Sequence, residues 1–255
     1  MAGVPAARQA LAILTHLASR PGPFAASAIA REIGLPRSTT YHLLAELVDA
    51  DFVVHLPEDR TYGLGVAAFE VGSAFLRHDP LERLARPVLA RLVAQTGLTA
   101  QLGILQGAET VYLLKEQPPN AATLVTDVGV RLPAHLTASG RAMLAHLPAA
   151  HVRAQLPSAS SFSTRTGRGP ASLTALRSVL AAERRRGWAS EDGEVTEGFA
   201  SVAAAVFDHG GRPVAAVALT FDERTDERTR ARLGPAAVAA ADAVSARISG
   251  RRPPP

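Results

Sequence analysis

Residues 25–65, AASAIAREIGLPRSTTYHLLAELVDADFVVHLPEDRTYGLG, constrain the fold of this 255-residue chain more than any other stretch. Ser27 is expected to cap a short helix, Ala28–Ile33, buried through Ile29 and Ile33. Gly34 supplies the backbone freedom of a tight turn, and Pro36 opens a further helix over about 36–50. In that helix Leu43, Leu44, Leu47 and Val48 make one apolar stripe, leaving Arg37, Ser38, Tyr41, His42, Glu46 and Asp49 off it. FVVHL (52–56) and TYGLG (61–65) read as strands around a PEDR turn, which places Arg60 at the tip. Helix, turn, helix and hairpin in this order form a winged helix-turn-helix, an arrangement that commonly carries a polar helix face into the DNA major groove.

Such a role needs short polar side chains where the third helix begins, and Arg37, Ser38, Thr39 and Thr40 supply them. A helix N-terminus also attracts phosphate. His42 faces the same side one turn on, Arg60 reaches an adjacent backbone or the minor groove, and Ser27 starts the preceding helix. The plainer alternative makes Ser38 and Thr39 ordinary helix-start residues. Glu46, Asp49 and Asp51 are expected at the far end, away from phosphate. Bulk charge does not decide the matter. A net charge of +4 suits a polyanion partner, yet residues 1–78 hold six Arg against seven Asp and Glu. The faces must therefore be segregated by charge for the DNA reading to hold.

The remainder reads as a second, α+β domain. A first helix over about Pro5–Ser19 places Leu11, Leu14 and Leu17 on one side and ends at PGP (21–23). A winged-helix domain of 1–65 is followed by a linker helix over 66–79 with Val66, Phe69 and Leu76 as anchors, then by a break at HDP (78–80). The second domain, 80–250, opens with an amphipathic helix (Leu81, Leu84, Val88, Leu92, Val93) that ends at Gly97. Strands are expected at 99–105, 110–116, 122–128, 201–207 and 213–221, the last two as a hairpin turning at Gly210–Gly211. Helices are expected around 137–147, 172–187 and 226–248, with 251–255 a disordered tail.

Several functions are argued against by what the sequence does not contain. No apolar run of about 18 residues exists, so no membrane partner or span is expected. The N-terminal segment alternates like an amphipathic helix and unlike a signal peptide. The chain has no cysteine, which removes disulfides and thiolate metal sites and fits a reducing cytoplasm. It contains no GxSxG, HExxH or GxxxxGK[ST] pattern, and GLGVAA (63–68) lacks a βαβ setting. The eight histidines show no metal-ligand spacing. No catalytic residue, cofactor or metal is therefore expected.

Three blocks resemble the IclR family of bacterial transcriptional regulators: IAREIGLPRSTTYHLLAEL followed by YGLG, then VGVRLPAHLTASGRAMLAHLP (128–148), then RRRGWASEDGEVTEGFASVAAAVFDHGGRPVAAVALT (184–220). The resemblance implies a winged helix joined through a linker helix to a GAF-like effector-binding domain. It also implies a homodimer or homotetramer on double-stranded promoter DNA, answering to a small carboxylated or aromatic metabolite. By position, Ser38, Thr39 and Thr40 would lie where the family meets DNA, while His42 stands where an Arg is usual and weakens that contact. Both the resemblance and the residues point to the 135–142 loop as an effector site. Thr137 is a good N-cap, and the amides of Ala138, Ser139 and Gly140 would cradle a carboxylate. Glu194 and Ser201 stand where the family has an acid and commonly a Cys. Leu102, Ala203, Ala218 and Thr220 are expected to wall the cavity, with Ile104, Val217 and Leu219 as further candidates. Arg131 either pairs with the ligand or is solvated, and His135 is either a ligand contact or a satisfied core group. An enzyme acting on the metabolite and a protein-interaction module are the two rival readings.

Overall fold

In the computed structural model, residues 4–19, 22–71, 80–119, 121 and 124–253 are described. The chain divides into two compact units, Met1–Asp79 and Pro80–Pro255.

The first unit contains α1 (Pro5–Ala18), β1 (Phe24–Ala25), α2 (Ala26–Ile33), α3 (Arg37–Asp49), β2 (Val53–Leu56) and β3 (Thr61–Leu64), with residues 66–71 helical (α4). Residues 72–79, and with them Leu76 of the expected linker helix, lie outside the described residues. Ile13, Leu17, Ile29, Leu44, Leu47 and Val53 close the core, so each helix gives one apolar stripe to it. Gly34 ends α2 at φ +70°, the left-handed region that lets the chain turn sharply into α3. Two expectations fail here. Leu11 is exposed, and Ile13 takes its place beside the expected Leu17 as an inward position on α1. Ser27 does not cap α2, because Phe24 and Ala25 pair with Tyr62 and Thr61 and the chain passes directly from strand into helix at Ala25. The expected hairpin is thus a three-stranded sheet, ordered β1-β3-β2.

The second unit is built on a six-stranded antiparallel sheet ordered β6-β5-β4-β9-β8-β7. Its strands are β4 (Thr99–Gln106), β5 (Glu109–Glu116), β6 (Arg131–Pro133), β7 (Ala189–Asp192), β8 (Phe199–Phe207) and β9 (Pro213–Asp222). One sheet face is covered by α5 (Pro80–Thr96) and the closing helix α9 (Glu227–Arg247), with Leu89, Leu92, Leu102, Leu114, Val217, Leu219, Ala237 and Val244 in one apolar layer. The other face receives α6 (Ala138–Leu144), whose Ala138, Ala142 and Met143 rest on Ala203, Ala216 and Ala218. Small residues on both sides let this short helix approach closely. Helices α7 (Ala149–Gln155) and α8 (Leu173–Arg186) pack around its far end.

Residues 124–128 are not a strand as expected, and 122–123 lie outside the described residues. The outer partner of β5 is β6, so the polar VTDV run loops past the sheet. Neither β7 nor α7 was expected. The C-terminal tail is ordered as far as it is described: Arg252 reaches Asp242 and the Gly187 carbonyl and lies over the Phe207 ring, which anchors residues assigned to a disordered end.

Candidate functional site

On the first unit, α3 presents Arg37, Ser38, Tyr41, His42, Ala45, Glu46 and Asp49 to solvent, with Thr39 half-buried. Its first turn carries no acidic residue, so the positive end of the helix faces outward without a compensating carboxylate. Glu46 and Asp49 stand at the opposite end. Thr40 breaks the expected pattern. It is fully buried, and its hydroxyl donates to the Pro36 carbonyl at 3.1 Å. One step along a helix turns a side chain by about 100°, which carries Thr40 onto the core stripe with Leu43, Leu44 and Leu47. Tyr41, 53% exposed, occupies the outward place expected of Thr40. Arg60 is exposed at the tip of the β2–β3 turn, at φ +52°. Ser27 is exposed within the first turn of α2.

On the second unit, a cavity lies between α6, the 124–126 loop and the β7–β8–β9 end of the sheet. It is lined by Tyr112, Leu124, Thr126, Thr137, Ala138, Ser139, Glu191, Val195, Phe199, Ser201, Ala218 and Thr220 among others. Its volume is about 20 Å³, roughly the room for one water. Of the expected site residues, Thr137, Ala138, Ser139, Ser201, Ala218 and Thr220 come together here. Thr137 caps α6, its hydroxyl accepting from the Gly140 amide at 3.0 Å and touching the Thr110 hydroxyl at 2.9 Å. The Gly140 amide is therefore occupied and not free to cradle a ligand. A Cβ on Gly140 would come within 2.3 Å of the Ala134 carbonyl oxygen, so the glycine is there for helix–loop contact.

A row of polar side chains crosses the sheet beside the cavity. The Thr126 hydroxyl meets the Gln101 amide at 2.9 Å, Gln101 meets the Thr220 hydroxyl at 3.3 Å, and Thr220 meets the Ser201 hydroxyl at 3.1 Å. Ser201 in turn hydrogen-bonds Glu191, its register partner on β7. Burial pushes the Glu191 carboxyl up to about 7, against the lowering effect of the Ser201 hydroxyl and the Glu194 amide. Burial also pushes the Tyr112 phenol up, beside Ser139.

Seven expected effector contacts lie elsewhere. Leu102 points into the layer under α5 and α9, because adjacent strand residues face opposite ways; Gln101 is the cavity-side residue of β4. Val217 and Leu219 belong to that same layer. Ala203 is on the correct face but packs beneath α6. Arg131 sits on the edge strand, bound to Gln106 at 2.7 Å and paired with Glu109 at 3.3 Å. His135 is a core group, its Nε2 3.0 Å from the Ser163 carbonyl and its ring against Phe162. Glu194 belongs to a buried ion cluster centred on Arg141, which also pairs with Glu183 at 3.1 Å and donates to the Ser190 carbonyl.

Sequence reasoning missed Tyr112, Thr126 and Glu191. Glu191 sits in SEDGE, which reads as a polar turn; only pairing with β8 turns its side chain inward. The signal available was the alternation of inward Ala189 and Glu191 with outward Asp192.

These two units define a class: a helix-turn-helix regulator whose DNA-reading head is joined to an α+β ligand domain. Residues 6–57 match the IclR helix-turn-helix domain, and residues 73–246 match the Bacterial transcriptional regulator IclR C-terminal family. The chain belongs to the IclR family of bacterial transcriptional regulators. Over 200 residues it is 35% identical to the HTH-type transcriptional regulator XynR of Escherichia coli strain K12, covering 78% of this chain and 79% of that one. The crystal structure of an IclR transcriptional regulator from Alicyclobacillus acidocaldarius superposes with a TM-score of 0.85 at 25% identity, covering 98% of this chain and 100% of that one. An IclR homologue from Microbacterium hydrocarbonoxydans, solved with 4-hydroxybenzoate, shares the fold at a TM-score of 0.76 and 21% identity, covering 94% of this chain and 98% of that one. The protein is thus a ligand-responsive transcriptional regulator and not an enzyme. Among the described residues no helix is long and apolar enough to cross a membrane.

Proposed function

We propose that this protein acts in the cytoplasm as a homo-oligomer on double-stranded promoter DNA. Two copies of α3, related by a two-fold axis, would enter successive major grooves about 34 Å apart. Ser38, Thr39, Tyr41 and His42 are the base-facing group, with Arg37 and Arg60 on phosphate. The outward display of these side chains from an acid-free helix start is the observation that carries this reading.

We further propose that the cavity beside α6 receives a small, partly apolar acid, held by the side chains of Tyr112, Ser139, Ser201 and Thr220. A space of about 20 Å³ accepts such a molecule only when its walls move. Ligand binding then favours an arrangement of α6 and the 124–126 loop different from the present one. It can alter DNA affinity only by the difference in its own affinity for the two arrangements.

The test measures binding of labelled upstream DNA by anisotropy, with and without small aromatic and alicyclic acids. We expect binding that weakens steeply with salt and that shifts on adding an acid which also raises the melting temperature. Salt-independent DNA binding, or equal affinity for upstream and random DNA in every ligand state, would refute the proposal.

A further inference from the structure

The cavity wall contains one carboxyl group and, among the described lining residues, no arginine, lysine or histidine. An anionic ligand entering it would meet Glu191, which is 3% exposed, with no cation opposite. The guanidinium whose charge acts on Glu191, Arg141 on α6, is already matched against two carboxylates, Glu183 of α8 and Glu194 of the β7–β8 loop. Towards the outer side, α9 supplies Arg230, but that charge is paired with Asp192 at 2.6 Å and has Glu227 beside it in an adjoining cleft. From β5 the facing group is the Tyr112 phenol, and from β8 the neutral Ser201 hydroxyl. Arg186 is turned to the Trp188 carbonyl and the Ser190 hydroxyl, and Arg165 to the Val195 carbonyl; none of these guanidiniums lines the cavity, so an ionised Glu191 would face a ligand without a cation of its own. A ligand carboxylate placed there would be repelled at short range in a poorly solvated space.

Protonation of Glu191 removes this conflict and adds something useful. A neutral carboxyl keeps the acceptor already engaged by the Glu194 amide at 3.0 Å and gains one O–H, a donor for the Ser201 hydroxyl or for a ligand oxygen in the cavity that both residues line. The O–H···O⁻ bond it would form with a ligand carboxylate is of the strong, charge-assisted kind.

We propose that Glu191 makes effector binding proton-coupled, so that a carboxylate effector enters the cavity together with one proton bound on Glu191. This rests on the effector-cavity reading given above. Physical support comes also from burial, which holds the carboxyl protonated up to about 7. A small aliphatic or aromatic acid, itself ionised throughout, should lose affinity about tenfold for each pH unit above that point. Uncharged ligands of the same shape should show no such trend.

The experiment uses the full chain and three probe acids, benzoate, 4-hydroxybenzoate and cyclohexanecarboxylate, with the matching amides as neutral controls. Binding is screened by thermal shift at pH 6.0, and affinities are then measured by calorimetry at pH 6.0 and 8.5 in buffers of different ionisation enthalpy. For at least one acid we expect affinity to fall about 30-fold between these pH values, with uptake of a proton near and above pH 7, given a Glu191 midpoint of about 7. Glu191→Gln, which mimics the protonated group, should keep the low-pH affinity at pH 8.5 and take up no proton. Ser201→Phe, which fills the cavity, should abolish binding at both. Acid binding that is flat with pH in the parent, or equally pH-dependent in E191Q, overturns proton coupling while leaving the cavity reading intact. Binding by amides and by no acid overturns the coupling and the acid class together. Binding that survives in a folded Ser201→Phe variant overturns the cavity itself.

Discussion

Glu191 and His146 show how single buried groups set the pH response of stability. The folded state raises the Glu191 midpoint from 4.5 to about 7, so the native chain holds this proton longer than the unfolded one. Its contribution is full below 4.5 and is lost as pH rises through about 7, at roughly 1.4 kcal/mol per unit across that window. Glu191→Gln should therefore become progressively more stable than the parent between those values and hold a constant advantage above them, as read by denaturant melts. His146 works in the other direction. Burial, with Arg184 and Arg252 nearby, pushes it down to about 4, so stability is lost as pH falls from 6.5 towards that value. On the DNA head, Arg37→Ala should weaken binding to all sequences and lower the salt slope by about one. Thr40→Val should leave base preference unchanged and alter stability by at most about 1 kcal/mol, since its hydroxyl only meets the Pro36 carbonyl. A shift in base preference for that variant would contradict the burial of Thr40.

Elements were more legible in the sequence than the directions of individual side chains. The stripe of α3, the cap at Thr137 and the β8–β9 hairpin all follow from local spacing and turn chemistry. What local spacing does not carry is parity within a strand: Leu102 and Gln101 are neighbours, and only the pairing of β4 with β9 decides which faces the cavity. The start of α2 was misplaced for a similar reason, since β1 exists only through its partner β3. Arg141 was missed as a structural centre because nothing near it in sequence supplies its carboxylates, which are 42 and 53 residues away at Glu183 and Glu194. Arg141→Ala should cost about 3–5 kcal/mol, because it removes the guanidinium that two buried carboxylates share. Arg141→Met combined with Glu183→Leu and Glu194→Met should recover most of that loss in thermal melts; no recovery would mean that Arg141 acts through its hydrogen bonds to the Ser190 and His135 carbonyls.

At the scale of the whole molecule, the two units divide the work into a part that touches DNA and a part that holds a ligand. Charge is divided as well, with the excess of arginine lying outside the residues that carry α3. DNA affinity must then come from a few placed cations and the α3 start, and should fall by orders of magnitude between low and physiological salt. A ligand that binds only the folded second unit should raise its melting temperature at saturating concentration.

The polar row joins Gln101 to Thr220, 119 positions apart along the chain. No shorter stretch contains both ends of this row, so a ribosome-bound chain lacking β9 lacks the wall that Ala218 and Thr220 give to the proposed effector cavity. On the proposed reading of the cavity, signal reception therefore waits on completed translation of that strand.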